Sequence, residues 1–286
     1  SQTRIHNLKP YLSKKAINIV WFKRDLRIVD HEPLYAAQQE TLPTLFLYFF
    51  EPSVMHYDDS DARHWRFINE SLLELNKKLA SFSTEIFIFH QEVAFVFEQL
   101  ATQFDIQTVF SHQEIGNKIT YDRDIAMQSF FEKNAIDWKQ FQMHGVIRKL
   151  KSRADWEKRW KTVMQNPPKT TDLKAFTFIN LESAFYRNIK GKALPKEITT
   201  SNSNFQKGGE YWAWRYLDSF VKKRYVNYSK HISKPHWSRT GCSRLSPYLA
   251  YGNISMRMVY QYTNQFYESS SNKRAILNFV SRLHWH

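Results

Sequence analysis

Ile17-Asn18-Ile19-Val20-Trp21-Phe22 is a run of β-branched and aromatic residues with one polar member, and it leads directly into the charged turn Lys23-Arg24-Asp25-Leu26-Arg27. A strand with one solvated face alternates apolar and polar residues, whereas a near-continuous apolar run suits a strand covered on both faces. Runs at Thr44–Phe50, Glu85–His90, Thr108–Ser111 and Asp137–Met143 read the same way. Between them the period changes. Asp61–Ala80 sets Trp65, Ile68, Leu72, Leu75 and Leu79 at helical spacing, and Gln91–Phe104 and Tyr121–Asn134 also read as helices. Strands alternating with helices require right-handed crossovers. The fold class is therefore α/β, with a doubly wound, Rossmann-like parallel sheet of five strands.

Such sheets take ligands at the carboxyl ends of their strands. The chain has only 7 glycines, and none forms a dinucleotide fingerprint or a phosphate loop with Lys-Ser/Thr. NAD and ATP sites of the usual kinds are thereby excluded. At 286 residues, 42% hydrophobic and 24% charged, the composition is that of a soluble globular protein of one large or two ordinary domains. No apolar run is long enough to span a bilayer, and no membrane attachment is expected. The single cysteine, Cys242, fits a reducing, cytoplasmic location. With 41 Lys/Arg against 27 Asp/Glu, the net charge of +14 favours a polyanionic partner. Lys and Arg interleave with Tyr and Trp around Trp212–Arg239, as nucleic-acid binding by charge and stacking requires. Charge alone does not choose between DNA, RNA and an anionic membrane.

The domain reading is 1–145 for the α/β unit, 146–206 for a polar connector crossing the surface, and 207–286 for the start of an all-helical unit. In that last unit, Gly241-Cys242-Ser243-Arg244-Leu245-Ser246-Pro247 reads as a loop ending in a helix start. Ser246 is expected to cap and Pro247 to take the first helical position. Gly252 closes that short helix and Ser255 opens another. Free backbone N–H groups beside serine hydroxyls and Arg244 suit a phosphate, although an ordinary capped helix pair has the same local sequence. His284 and His286 sit two apart, do not share a helical face, and are read as no metal site.

Four blocks in order resemble the photolyase/cryptochrome family. Trp21-Phe22-Lys23-Arg24-Asp25-Leu26-Arg27 with Asp30 and Leu34 is similar to its opening signature. Gly208-Gly209-Glu210 with Ala213, Leu217 and Phe220 matches a helix of its flavin domain. Tyr228, seven residues before Pro235, has the spacing of a tyrosine that reaches the flavin phosphate, and the run 241–255 resembles the flavin-phosphate segment. The resemblance implies an α/β domain that carries an accessory antenna pigment, often a folate or a deazaflavin, and a helical domain that binds FAD. It implies light-driven DNA repair: reduced FAD, photoexcited, passes an electron to a cyclobutane pyrimidine dimer flipped out of damaged DNA, with the protein acting as a monomer.

Carried over by position, the flavin contacts are Tyr228, Cys242, Ser243, Arg244, Leu245, Ser246 and Phe279. Glu114 lies where relatives line the antenna pocket, and Trp285 lies where a ring packs on the flipped dimer. Lys230 and Lys234 stand beside Ile232, where many photolyases have a DNA-contacting arginine. Cys242 replaces the usual threonine, and Arg282 replaces a glutamate that bonds the dimer. These departures leave open a cryptochrome-type photoreceptor that signals instead of repairing. A flavin-free basic module that binds nucleic acid also fits the charge. Because the run stops inside the helix that lines the family's flavin cavity, a fragment with weak or absent flavin binding is expected.

Overall fold

The computed structural model describes residues 13–57, 60–143, 153–227 and 243–283. Five parallel strands, β1 (Lys15–Phe22), β2 (Thr44–Phe50), β3 (Ile86–His90), β4 (Phe104–His112) and β5 (Asp137–Phe141), form one sheet in the order β3-β2-β1-β4-β5. This is the doubly wound topology expected from the alternation. The order reverses at β1, where the chain leaves the β3 edge and returns to build outward through β4 and β5.

Side-chain alternation along β1 explains why its sequence is apolar on both parities. Val20 and Phe22 enter one core layer, with α1 (Glu32–Gln38) and α3 (Ala62–Leu79); the single turn α2 (Pro52–Met55) links β2 to α3. Ile17, Ile19 and Trp21 enter the opposite layer, with α4 (Val93–Gln103) and α5 (Lys118–Lys133), through Phe97, Leu100, Met127 and Phe131. Helix α1 was not legible: its seven residues carry too few apolar positions to show a period. The edge strand β5 departs from the expected two-sided burial. It is half-buried to exposed along its length, because among the described residues no further strand pairs with its outer side. Trp138 is the exception in chemistry, stacking on Trp21 at 5.8 Å and donating to Ser111 Oγ at 2.9 Å.

The stretch read as a surface connector is more structured than its composition suggested. Helix α6 (Arg153–Gln165) sends Trp160 and Met164 into the helical core. Phe178 and Gly191 form bridges with Thr44 and His90, and Leu181 joins the sheet's core together with Ile189 of α7 (Ser183–Ile189). Helix α8 (Lys196–Thr199) receives a hydrogen bond from Arg66 Nε to Glu197 O at 2.8 Å.

After it, α9 (Glu210–Lys222) buries Ala213, Leu217, Phe220 and Val221 at helical spacing against the helices Ser246–Ala250, Met256–Asn264 and Lys273–Leu283. Gly208 and Gly209 bring α9 onto α3: a β-carbon at Gly208 would stand 2.0 Å from Phe67 O, and Gly209 has φ +119°. Glu74 Oε1 then caps α9 by accepting from Glu210 N at 2.8 Å.

Candidate functional site

The carboxyl ends of β1 and β2, with the loop after β4, enclose a cavity of about 180 Å³ at the point where the strand order reverses. Cavities of about 150 Å³ already admit a benzene ring. Phe22, Tyr48, Trp65 and Tyr251 make an aromatic side; Lys23, Glu51, Glu114 and Arg123 make a charged one. Local sequence places the rim. Asp61 caps α3 by accepting from Arg63 N at 2.9 Å, and Asn117 caps α5 by accepting from Thr120 N at 3.1 Å, so both helices start at the cavity mouth.

The charged side is a network. Arg123 reaches Glu114 at 2.8 Å, Asp124 at 3.1 Å and Glu51 at 3.3 Å. Lys23 reaches Asp124 at 3.4 Å and Glu114 at 3.7 Å, with its ammonium 4.1 Å from the Trp21 ring centre. Burial pushes the Glu51 carboxyl up to about 7, against the pull of the Arg123 guanidinium. Burial, with Arg123 nearby, draws the Lys23 ammonium below its ordinary range. Glu51 is only 8% exposed, and among the described residues its Oε2 and Arg123 Nε are buried with no hydrogen-bond partner.

Beneath the turn after β1, Asp25 accepts from His112 Nδ1 at 2.6 Å, and its Oδ2 lies 2.8 Å from His31 Nε2. His31 Nδ1 accepts from Leu34 N at 3.0 Å, which leaves the ring's proton on Nε2, toward Asp25. Burial alone would raise the Asp25 carboxyl; the His31 and His112 imidazoles hold it well below the usual carboxylate range. Ligands sharing one zinc ion at ~2.0–2.1 Å stand roughly 3.3 Å apart. The shorter spacing here is that of hydrogen bonds, and the trio fixes the turn.

Two of the sequence blocks meet at a buried seam. Arg257 Nη1 donates to Asp30 Oδ1 at 2.8 Å and Ser255 Oγ to Asp30 Oδ2 at 2.6 Å, while Arg27 Nη1 donates to Gly252 O at 3.0 Å. Leu26 N donates to Tyr251 O at 3.1 Å. Gly252 has φ +74°, and a β-carbon there would stand 2.3 Å from Arg24 O. The seam carries Tyr251, from the helical half, into the wall of the α/β cavity.

The residues expected from sequence fall in three groups. Glu114 lines the cavity. Ser243 and Arg244 are half-buried and Ser246 is exposed, with Arg244 at φ +59° and its guanidinium 5.1 Å from the Tyr216 ring centre. Ser255 caps the Met256–Asn264 helix as expected, accepting from Met258 N at 3.1 Å. Ser246 does not cap. The Ser246–Ala250 helix begins one residue early, with Leu245 at the cap position and no side-chain hydrogen bond, because Leu245 is held inward by the core. Phe279 also lies in that core, 4.6 Å from Phe220, while Arg282 is on the exposed face of the same helix. Tyr228, Lys230, Lys234, Cys242 and Trp285, with Ile232, Pro235, His284 and His286, lie outside the described residues.

Sequence reasoning missed Glu51 and Arg123. A carboxylate directly after an apolar strand run was the available signal for Glu51; Arg123 had none, being one charge among several on α5.

The DNA photolyase family model matches residues 18–162, half of the chain. The chain belongs to the DNA photolyase family. Relatives of this family include cryptochrome-2 of Arabidopsis thaliana, 25% identical over 85% of this chain and 42% of that protein. A deoxyribodipyrimidine photo-lyase of Vibrio cholerae is 26% identical over 89% of this chain and 56% of its own length. The chain thus spans about half the length of the curated relatives it matches. Among solved structures, an archaeal photolyase from Sulfolobus tokodaii with two FAD molecules superposes with a TM-score of 0.69 at 20% identity, over 94% of this chain and 57% of that one. The cryptochrome of Synechocystis sp. PCC6803 gives 0.69 at 19% identity, over 95% and 60%. Both establish the photolyase fold. Among the described residues no helix is long and apolar enough to cross a membrane.

Proposed function

We propose that this photolyase-family chain is the pigment-binding half, with the first part of the flavin domain, of a light-driven enzyme that repairs cyclobutane pyrimidine dimers in DNA. One observation carries the reading. Tyr251 lies on the segment that resembles the flavin-phosphate run and also forms a wall of the α/β cavity, so a pigment there and a flavin beyond share one rigid element. Energy captured in the cavity has a short route to the second chromophore.

The donor set fits the phosphates of FAD in part. Arg244 and Ser246 present a guanidinium and a hydroxyl that are not fully buried, and Ser243 stands beside them. Tyr228 and Cys242 complete the set by resemblance. Leu245 and Phe279 support the segment from within the core. When bound, reduced FAD supplies the photoexcited electron donor. The chain's own residues fix the phosphate end, and the seam holds that segment to the α/β unit. Of the two family activities, the net charge of +14 favours DNA as partner. Trp285 is then the ring that packs on the flipped dimer, worth roughly 1–3 kcal/mol of stacking.

A cryptochrome-type photoreceptor is the second reading, and Arg282 favours it, since a guanidinium replaces the carboxylate expected beside the dimer. The test is blue-light repair of an oligonucleotide carrying one thymine dimer, using the full-length protein loaded with reduced flavin. Light-dependent loss of the dimer is expected. A loaded flavoprotein that leaves the dimer intact would move the assignment to photoreception.

A further inference from the structure

The cavity at the carboxyl ends of β1 and β2 contains two buried polar atoms without partners among the described residues, and they are of opposite kind. Glu51 Oε2 is an acceptor and Arg123 Nε–H is a donor. Both residues line the cavity, joined through their other atoms by a 3.3 Å ion pair, so the two orphans belong to one wall. A buried group left unpaired costs the full desolvation of that group, and a native fold keeps such groups where something else satisfies them.

What satisfies them is constrained by the surroundings. A metal cation would sit against the Lys23 and Arg123 charges. A phosphate would sit against Glu51, Glu114 and Asp124. A purely apolar ligand would seal both orphans from water. The remaining fit is a neutral, flat molecule with a donor beside an acceptor on one edge, its faces against Tyr48, Trp65 and Tyr251.

We infer that the cavity takes a planar heteroaromatic ligand by a cyclic lactam edge, the ring N–H donating to Glu51 Oε2 and the adjacent carbonyl accepting from Arg123 Nε–H. This rests on the reading of the cavity as a pigment site, and it names the edge by which the pigment is held. Pteridine, isoalloxazine and deazaflavin rings all present such an edge; a ring alkylated at that nitrogen does not. Glu51 and Arg123 are then specificity-determining residues, and Lys23 and Glu114 hold Arg123 in place from behind.

The experiment compares lumiflavin with 3-methyllumiflavin, which differ by one methyl on the lactam nitrogen and carry no phosphate. Binding to the 286-residue chain is followed by fluorescence, with pterin as a second lactam ring. Lumiflavin and pterin are expected to bind, with 3-methyllumiflavin weaker by roughly ten- to hundredfold, the worth of one hydrogen bond to a charged group. Glu51→Met should weaken lumiflavin by a similar factor and leave 3-methyllumiflavin unchanged, erasing the discrimination. The two-ligand comparison in the unaltered chain needs no variant to fold. Equal binding of both flavins, both weakened by Trp65→Ala, would overturn the lactam edge and keep the pigment site. Discrimination that survives in Glu51→Met would place it elsewhere and overturn the proposal. Failure of every ring to bind would overturn the pigment reading together with it.

Discussion

Replacing Glu51 by glutamine removes a charge from the cavity and keeps the shape of the side chain. In the folded protein burial raises this carboxyl from 4.5 to about 7, with Glu114 and Glu92 acting in the same direction and Arg123 and Lys23 opposing. Folding therefore favours the protonated acid. Its contribution is fully present below pH 4.5, falls as pH rises, and is gone above about 7. A pKa difference of one between folded and unfolded chains is worth ~1.36 kcal/mol, so the swing is about 3 kcal/mol. The glutamine has no proton to lose, so the stability of Glu51→Gln relative to the unaltered chain should rise by about 3 kcal/mol from pH 4 to pH 8. Urea unfolding of both proteins at half-unit pH steps reads this difference directly, because all other titrating groups cancel. A flat difference would refute the reasoning and mean that the Arg123 charge fully offsets burial at Glu51. A falling difference would mean that Glu51 is held ionised, which would leave its Oε2 solvated.

Two further outcomes test the seam. Gly252→Ala forces a β-carbon to within 2.3 Å of Arg24 O at φ +74°, and should cost more than about 3 kcal/mol of stability; unfolding close to the parent's would show that the segment shifts freely. Arg257→Met removes the guanidinium that pairs with buried Asp30 at 2.8 Å, at a cost of about 3–5 kcal/mol. Hydrogen exchange should then quicken at Leu26 N–H, which bonds to Tyr251 O, more than at Val20 N–H within β1. Equal effects at both amides would mean that the pair supports the sheet and not the seam.

The sheet was legible because burial on two faces imposes an apolar run that no other element of that length requires, and the crossover helices α3, α4 and α5 have enough turns to show their period. α1 and α8 were not, being too short for periodicity to rise above composition. The block 241–255 was read as a phosphate segment from its serines and glycine. In the structure Gly252 and Ser255 serve the seam, meeting Arg24, Arg27 and Asp30 from more than two hundred residues away. Glu114 was placed at the pocket from sequence by resemblance, whereas Glu51 and Arg123 were not found at all.

By itself the sequence determined the order of strands and helices, the parallel sheet they must make and the family to which the chain belongs, since periodicity and local motifs are written in neighbouring residues. The tertiary structure alone decided which charges share a cavity, that Tyr251 closes it from the other half, and that two buried atoms there await a partner. Such facts depend on distances between residues far apart in the chain, and burial turns those distances into energies that no local pattern records.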